Sequence, residues 1–419
     1  MARTEFLDER SQGKGQFMPR LIFEHHAGAS GTRRCCVLER LSQEHFTALE
    51  PIWIEIPGLS IPEPAVWDGF LFGILLRLME MGAPVRIDGA ISRQALRNAI
   101  ELQDVWSLWC PNKYRRVSLE PASVVDLSPE AGKQVICAFS GGADGTFSLL
   151  RHRLRWLGEA ALPVGPALMV HGFDVPLAEA HSFDLLVKRC VPLLSQLGVP
   201  LHVARTNLKV ASQQHWGYSF AAQLACCLHQ FTGIYSGGII GSSEPYDAQV
   251  FPWGSTPMTD PLLSGGTFSI FHDGAGYSRT AKLERIKDHE IALRTLKVCW
   301  EGPHAEENCG TCEKCVRTRL NLLAVGVPSP PCFSGPLDPG AISTIGLPGP
   351  AQYAELLSIF NYSRQHGIEA EWMDVLRARL DRYRREARIA AYKERVRRLV
   401  VDTNPAWRMA RWLKRSLTG

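Results

Sequence analysis

Two short stretches of the chain hold residues whose types and spacing can do chemistry. The first, "VCWEGPHAEENCGTCEKC", sets four cysteines as Cys299-x9-Cys309-x2-Cys312-x2-Cys315. Thiolates are soft ligands, and four of them close a tetrahedral Zn²⁺ site. The spacing therefore predicts a structural zinc knot, with Gly310 allowing the chain to bend around the ion. An iron–sulfur cluster and free thiols are the alternatives. The second stretch, "VICAFSGGADGTFSLL" (135–150), ends an apolar run in Ser140-Gly141-Gly142 and places Asp144 two residues later. Paired glycines let a backbone turn sharply and approach a ligand. A helix starting there presents unpaired N–H groups and a partial positive charge, which suits a phosphate. Ser140 and Thr146 add hydroxyl donors. Asp144 would repel a bare phosphate, so its expected role is to hold Mg²⁺ against the phosphate oxygens. The Walker spacing with its lysine is absent, and so is the dinucleotide GxGxxG pattern.

The flanking sequence predicts the elements that must position these groups. From Gln134 onward, short apolar strands alternate with helices: "QVICAFS", then a helix ending at Gly158, "PALMVHGF", "AEAHSFDLLVKRCVPLLSQLG", "PLHVARTN", "SQQHWGYSFAAQLACCLHQFTG" and "IYSGGIIGSS". Regular alternation with short connections predicts a doubly wound parallel sheet, in which ligands sit beyond the carboxyl ends of the strands. Residues 1–130 read as an α+β accessory module with no catalytic constellation. Residues 133–327 form the predicted nucleotide domain. The Pro/Gly-rich stretch 328–350 reads as a linker, and 351–419 as a basic helical extension.

"SGGADGT" resembles the SGGxDS[ST] pyrophosphate loop of the N-type ATP pyrophosphatases. Together with the CxxCxxC knot it is similar to 7-cyano-7-deazaguanine synthase over about residues 133–325. Gly145 stands where that family usually has serine. The resemblance implies an α/β fold of that type and an ATP-dependent C–N ligase that releases AMP and pyrophosphate. It activates a carboxylate or amide oxygen for attack by ammonia or an amine. It also implies ATP, Mg²⁺ and Zn²⁺ as cofactors. Ser140, Gly141, Gly142, Ala143, Asp144, Gly145 and Thr146 would cradle the phosphates. The backbone at His171 and Gly172 would lie against adenine. Independently of the resemblance, Ser242 lies in "GSSEPYD", which follows a strand and offers hydroxyls and carboxylates for pyrophosphate, Mg²⁺ or the acceptor. Arg279 and Lys282 would stabilise charge on the α-phosphate. The N-terminal module and the tail lie outside that family's usual architecture, so a different acceptor is expected. A tRNA sulfurtransferase or a non-catalytic nucleotide- or nucleic-acid-binding relative is the alternative.

Bulk composition bounds the rest. The 419 residues are 45% hydrophobic and 21% charged, which is ordinary for a globular chain. The net charge of +4 is unevenly spread: residues 371–419 hold 14 Lys/Arg against 6 Asp/Glu. Trp407 and Trp412, interleaved with Arg408, Arg411, Lys414 and Arg415, read as a solvated amphipathic helix or a weak contact for nucleic acid or an acidic surface. Twelve cysteines without an apolar leader segment predict reduced thiols and a cytoplasmic location. No stretch is suited to span a bilayer. The candidate partners are the small-molecule acceptor, the ammonia or amine donor, and a second copy of the chain.

Overall fold

The computed structural model describes residues 18–42, 45–48, 50–128, 133–301, 307–347 and 349–403. Eleven strands join one sheet: β1 (Arg20–Gly28), β2 (Gly31–Ser42), β3 (His45–Ala48), β4 (Ile52–Pro57), β5 (Val85–Ser92), β6 (Leu119–Val125), β7 (Val135–Ala138), β8 (Val164–His171), β9 (Leu201–Thr206), β10 (Gly237–Gly241) and β11 (Ser269–Asp273). The helices are α1 (Asp68–Met81), α2 (Arg93–Trp109), α3 (Ala143–Arg153), α4 (Ala180–Gln196), α5 (Leu208–Ala211), α6 (Trp216–His229), α7 (Arg279–Ile286), α8 (Glu290–Thr295), α9 (Glu313–Ala324), α10 (Pro339–Thr344), α11 (Pro350–Gln365) and α12 (Glu371–Thr403).

The strand order is β11-β10-β7-β8-β9-β4-β2-β1-β5-β6, with β3 beside β2. The five strands β11-β10-β7-β8-β9 run parallel. Their apolar residues point both ways, and helices cover both faces. Phe147, Leu186 and Leu283 of α3, α4 and α7 pack on one face; Ala225, Phe72 and Leu102 of α6, α1 and α2 share a core on the other. The class is therefore α/β with a mostly parallel sheet. The chain passes from β7 to β8 in one direction and later returns to place β10 on the other side of β7. That reversal opens a crevice beyond the carboxyl ends of β7 and β10.

Residues 1–130 were expected as an α+β accessory module, and the strands described within them, β1 to β6, continue the same sheet. β4 pairs antiparallel with β9 through Ile54↔Thr206 and Glu55↔Arg205. Asn207 caps the junction: its side chain accepts from the Trp53 N–H at 2.9 Å and donates to the Pro51 carbonyl at 2.9 Å. Helices α1 and α6 cross closely at Gly69 and Gly73. A Cβ there would come within 2.5 Å of His229 Cβ and 2.9 Å of Cys226 Cβ, so only glycine permits this approach. The buried Asp68 carboxylate ties the halves again, accepting from the Ser92 N–H at 2.8 Å and its hydroxyl at 2.6 Å, and from the Gly266 N–H at 3.3 Å.

Two further expectations change. The helix after the glycine turn stops at Arg153 rather than near Gly158, because Arg155 takes a left-handed conformation (φ 55°) that ends it. The expected linker 328–350 contains a regular helix and is anchored in the core at a few side chains, while most of its other described residues are exposed or half-buried. Cys332 is buried, and α10 sends Ile342 into a core with Val316 and Leu320 of α9, Leu356 and Ile359 of α11, and Leu376 of α12. Trp407, Trp412 and the tail beyond 403 lie outside the described residues. Among the described residues no helix is long and apolar enough to cross a membrane.

Candidate active site and metal centre

The Ser140–Thr146 turn sits at the crevice. Strand β7 is buried along its length, Gly141 takes φ 76°, and α3 begins at Ala143 with no side chain capping its N-terminus. The first N–H groups of α3 therefore face the crevice end of the sheet uncapped, as an anion site requires. Gly145 packs against the strand it follows: a Cβ there would lie 3.1 Å from the Ala138 carbonyl oxygen and 3.4 Å from Phe139 Cα. Gly241, ending β10, is tighter still, at 2.8 Å from the Asp144 carbonyl oxygen. Both glycines let α3 seat closely between β7 and β10.

The structure brings three of the expected site residues into one ion cluster. Asp144 Oδ2 accepts from Arg279 Nη2 at 2.7 Å, and Oδ1 accepts from Lys282 Nζ at 2.9 Å. Helix α7, capped by the Ser278 hydroxyl on the Ala281 N–H, carries both cations on its first turn. Lys282 is fully buried and also donates to the Ser242 carbonyl. Arg279 turns its Nη1 to Glu355 of α11 at 3.1 Å, and Glu355 also accepts from Arg317 of α9. Burial opposes the charged form of Asp144, but Arg279 and Lys282 overcome it and hold the carboxyl below its usual range. Burial likewise opposes the Arg279 charge, and Asp144 and Glu355 outweigh it.

Glu244, two residues beyond Ser242, behaves oppositely. Burial, reinforced by the negative charge of Glu355, pushes its carboxyl up to about 8. A raised acid constant means the folded chain holds a proton that the unfolded chain releases. This contribution to stability is present at acid pH and is lost as pH rises through about 8. Wild type is expected to lose about 1–2 kcal/mol of stability from this group between pH 6.5 and 9. Glu244→Gln should remove that loss, and denaturant midpoints of both proteins at the two pH values check it.

A cleft of about 200 Å³ opens where β7, β8 and β10 end. Its walls are mainly apolar and include six aromatic rings (Phe139, Phe173, Phe183, Trp216, Phe220 and Trp300), with Ser140, Asp144 and Asp174 as its polar side chains. The rings and aliphatic side chains suit a planar, apolar-faced ligand. His171 and Gly172 do not line it. The His171 ring is buried, stacks on Phe183 at 4.5 Å and bonds the Pro176 carbonyl at 3.0 Å through Nε2. Gly172 (φ 111°) holds the chain against β9, where a Cβ would fall 1.9 Å from the Thr206 carbonyl oxygen. Ser242 is buried, with its hydroxyl on the Glu244 carbonyl at 2.6 Å.

The four cysteines do converge. Their sulfurs lie within 4.8 Å of one another, with Cys309 Sγ and Cys315 Sγ 3.8 Å apart. Zn–S bonds of about 2.3 Å at tetrahedral angles place sulfurs about 3.8 Å apart, so the group fits zinc. The N–H groups of Cys309 and Cys312 point at Cys299 Sγ and Cys309 Sγ, both at 3.3 Å. Cys312 also stands at the N-cap of α9, where the helix dipole favours thiolate. Gly310 takes φ 78°, which makes the bend. The knot is fastened to the glycine turn. The Lys297 N–H donates to the Gly141 carbonyl at 2.9 Å, and its buried Nζ reaches the carbonyls of Cys299 and Glu307.

Sequence reasoning did not find Lys297, the aromatic wall or Glu355. Lys297 stands two residues before the first cysteine, and that proximity was its one local signal. Strand β11 was also missed: "SIFHD" holds only two apolar residues, too few to stand out as a strand. Comparison with known protein families, with curated proteins and with solved structures finds no match for this chain. Fold and site define an α/β protein with a mostly parallel sheet, a glycine turn at its crevice and a four-cysteine group able to hold a metal such as zinc.

Proposed function

We propose that this chain is an ATP-dependent adenylating enzyme that joins ammonia or an amine to a carboxylate or amide carbon. The observation that carries the reading is the meeting of the uncapped α3 N-terminus with Asp144, Arg279 and Lys282 at the crevice. In the reaction an acceptor oxygen attacks the α-phosphorus of ATP and pyrophosphate leaves. The amine then attacks the activated carbon and AMP leaves with the oxygen. The α3 N–H groups hold the departing pyrophosphate. Arg279 and Lys282, held by Asp144 in the free protein, transfer to the phosphate oxygens and offset the charge that develops there. Asp144 so released would hold Mg²⁺, which would supply further charge neutralisation against the phosphates.

The aromatic wall supports a planar heteroaromatic acceptor, and the closed four-thiolate set supports a zinc that organises rather than reacts. The test is incubation with MgATP, ammonium and 7-carboxy-7-deazaguanine, resolved by chromatography and mass spectrometry. AMP, pyrophosphate and a product one nitrogen richer are expected. Absence of AMP with this acceptor and with pools of small metabolites and tRNA would overturn the enzymatic reading.

A further inference from the structure

We propose that Glu355, on α11 of the C-terminal extension, is the positioning residue that holds Arg279 in register at the phosphate end of the cleft. The extension is then a working part of the site. This rests on the nucleotide reading above. Glu355 is 7% exposed. Its Oε1 meets Arg279 Nη1 at 3.1 Å, and its Oε2 takes Arg317, which also pairs with Glu313 at 3.1 Å. The next residue, Leu356, is buried with Ile359 against Val316 and Leu320 of α9, so the helix that carries the carboxylate is firmly docked.

A buried carboxylate is costly to place, and buried ion pairs are poor devices for stability alone. The connectivity of this one points elsewhere. Arg279 uses one amine on Glu355 and the other on Asp144, and its buried Nε has no hydrogen-bond partner in the protein. Glu355 thus anchors one edge of the guanidinium and leaves the Asp144 edge as the exchangeable one. Without that anchor, Arg279 and Arg317 lose their shared counter-charge. Arg279 is then free to close fully on Asp144, occupying the carboxylate and withdrawing its own donors from phosphate.

The full-length protein and its variants Glu355→Gln, Glu355→Asp, Arg279→Ala and Glu355→Gln/Arg279→Ala are titrated by calorimetry with MgATP and with pyrophosphate. Thermal midpoints are recorded in parallel. Loss of one charge-assisted hydrogen bond corresponds to roughly tenfold or more in affinity. Glu355→Gln should weaken both ligands by about that factor, and the double variant should bind no more weakly than Arg279→Ala alone. Glu355→Asp keeps the charge but cannot span both arginines, so it should fall between. It also serves as the reading variant if the glutamine form does not fold. Wild-type affinity in either Glu355 variant, or additive losses in the double variant, overturns the positioning role alone. Failure of the wild-type protein to bind MgATP and pyrophosphate overturns the nucleotide reading and this role together.

Discussion

Asp144→Asn is expected to cost the fold about 3–5 kcal/mol and to lower MgATP turnover by about 10²–10³-fold or more. Asparagine keeps the shape of the side chain but removes the charge that both Arg279 and Lys282 address. Lys282 is fully buried and loses its carboxylate partner, while Arg279, 15% exposed, keeps only Glu355, so two like charges are left with one counter-ion in a poorly solvated place. The energy lost is mainly the penalty of that uncompensated charge rather than the worth of the pair. Urea denaturation of the variant measures the first effect, and AMP release measures the second. Adding Lys282→Met to Asp144→Asn should recover part of the stability and none of the turnover. A variant as stable as wild type would show that the cluster is well hydrated. Unchanged AMP release would remove Asp144 from the chemistry.

Loss of the metal is the second large effect. The purified protein is expected to hold one zinc per chain. Cys315→Ser, which removes a buried ligand, should lose that zinc and on the order of 3–5 kcal/mol of stability. The consequence should travel. Lys297 links the knot to the glycine turn through the Gly141 carbonyl. Hydrogen exchange across residues 141–146 should therefore quicken in Cys315→Ser or after chelation, while exchange in β1 and β2 stays slow. Elemental analysis separates the metals: iron with visible absorbance would replace zinc by a cluster, and no metal with intact stability would leave four free thiols. Equal protection of 141–146 with and without metal would show that the knot and the turn are independent.

The two sites differ in how far apart in the chain their parts lie, and this governs what the sequence by itself determined. The knot is written within residues 299–315 and the glycine turn within 135–146, so residue type and spacing alone placed a four-cysteine group able to hold a metal and a strand–turn–helix. The alternation of strand and helix after Gln134 likewise follows from local apolar periodicity. Tertiary structure alone decided the pairing of β4 with β9, 150 residues apart, which turned an expected accessory module into part of one sheet. It alone decided that the proline- and glycine-rich stretch after 328 is anchored in the core at Cys332, Ile342 and Ile345. A breaker-rich composition reports weak local preference and says nothing of the apolar partners that Ile342 and Cys332 find. It also decided the company of Arg279. The sequence marks a cation at a helix start. That its counter-ions are Asp144, 135 residues before it, and Glu355, 76 after it, depends on which surfaces bury each other, and a carboxylate in a helical run carries no local sign of the arginine it will meet.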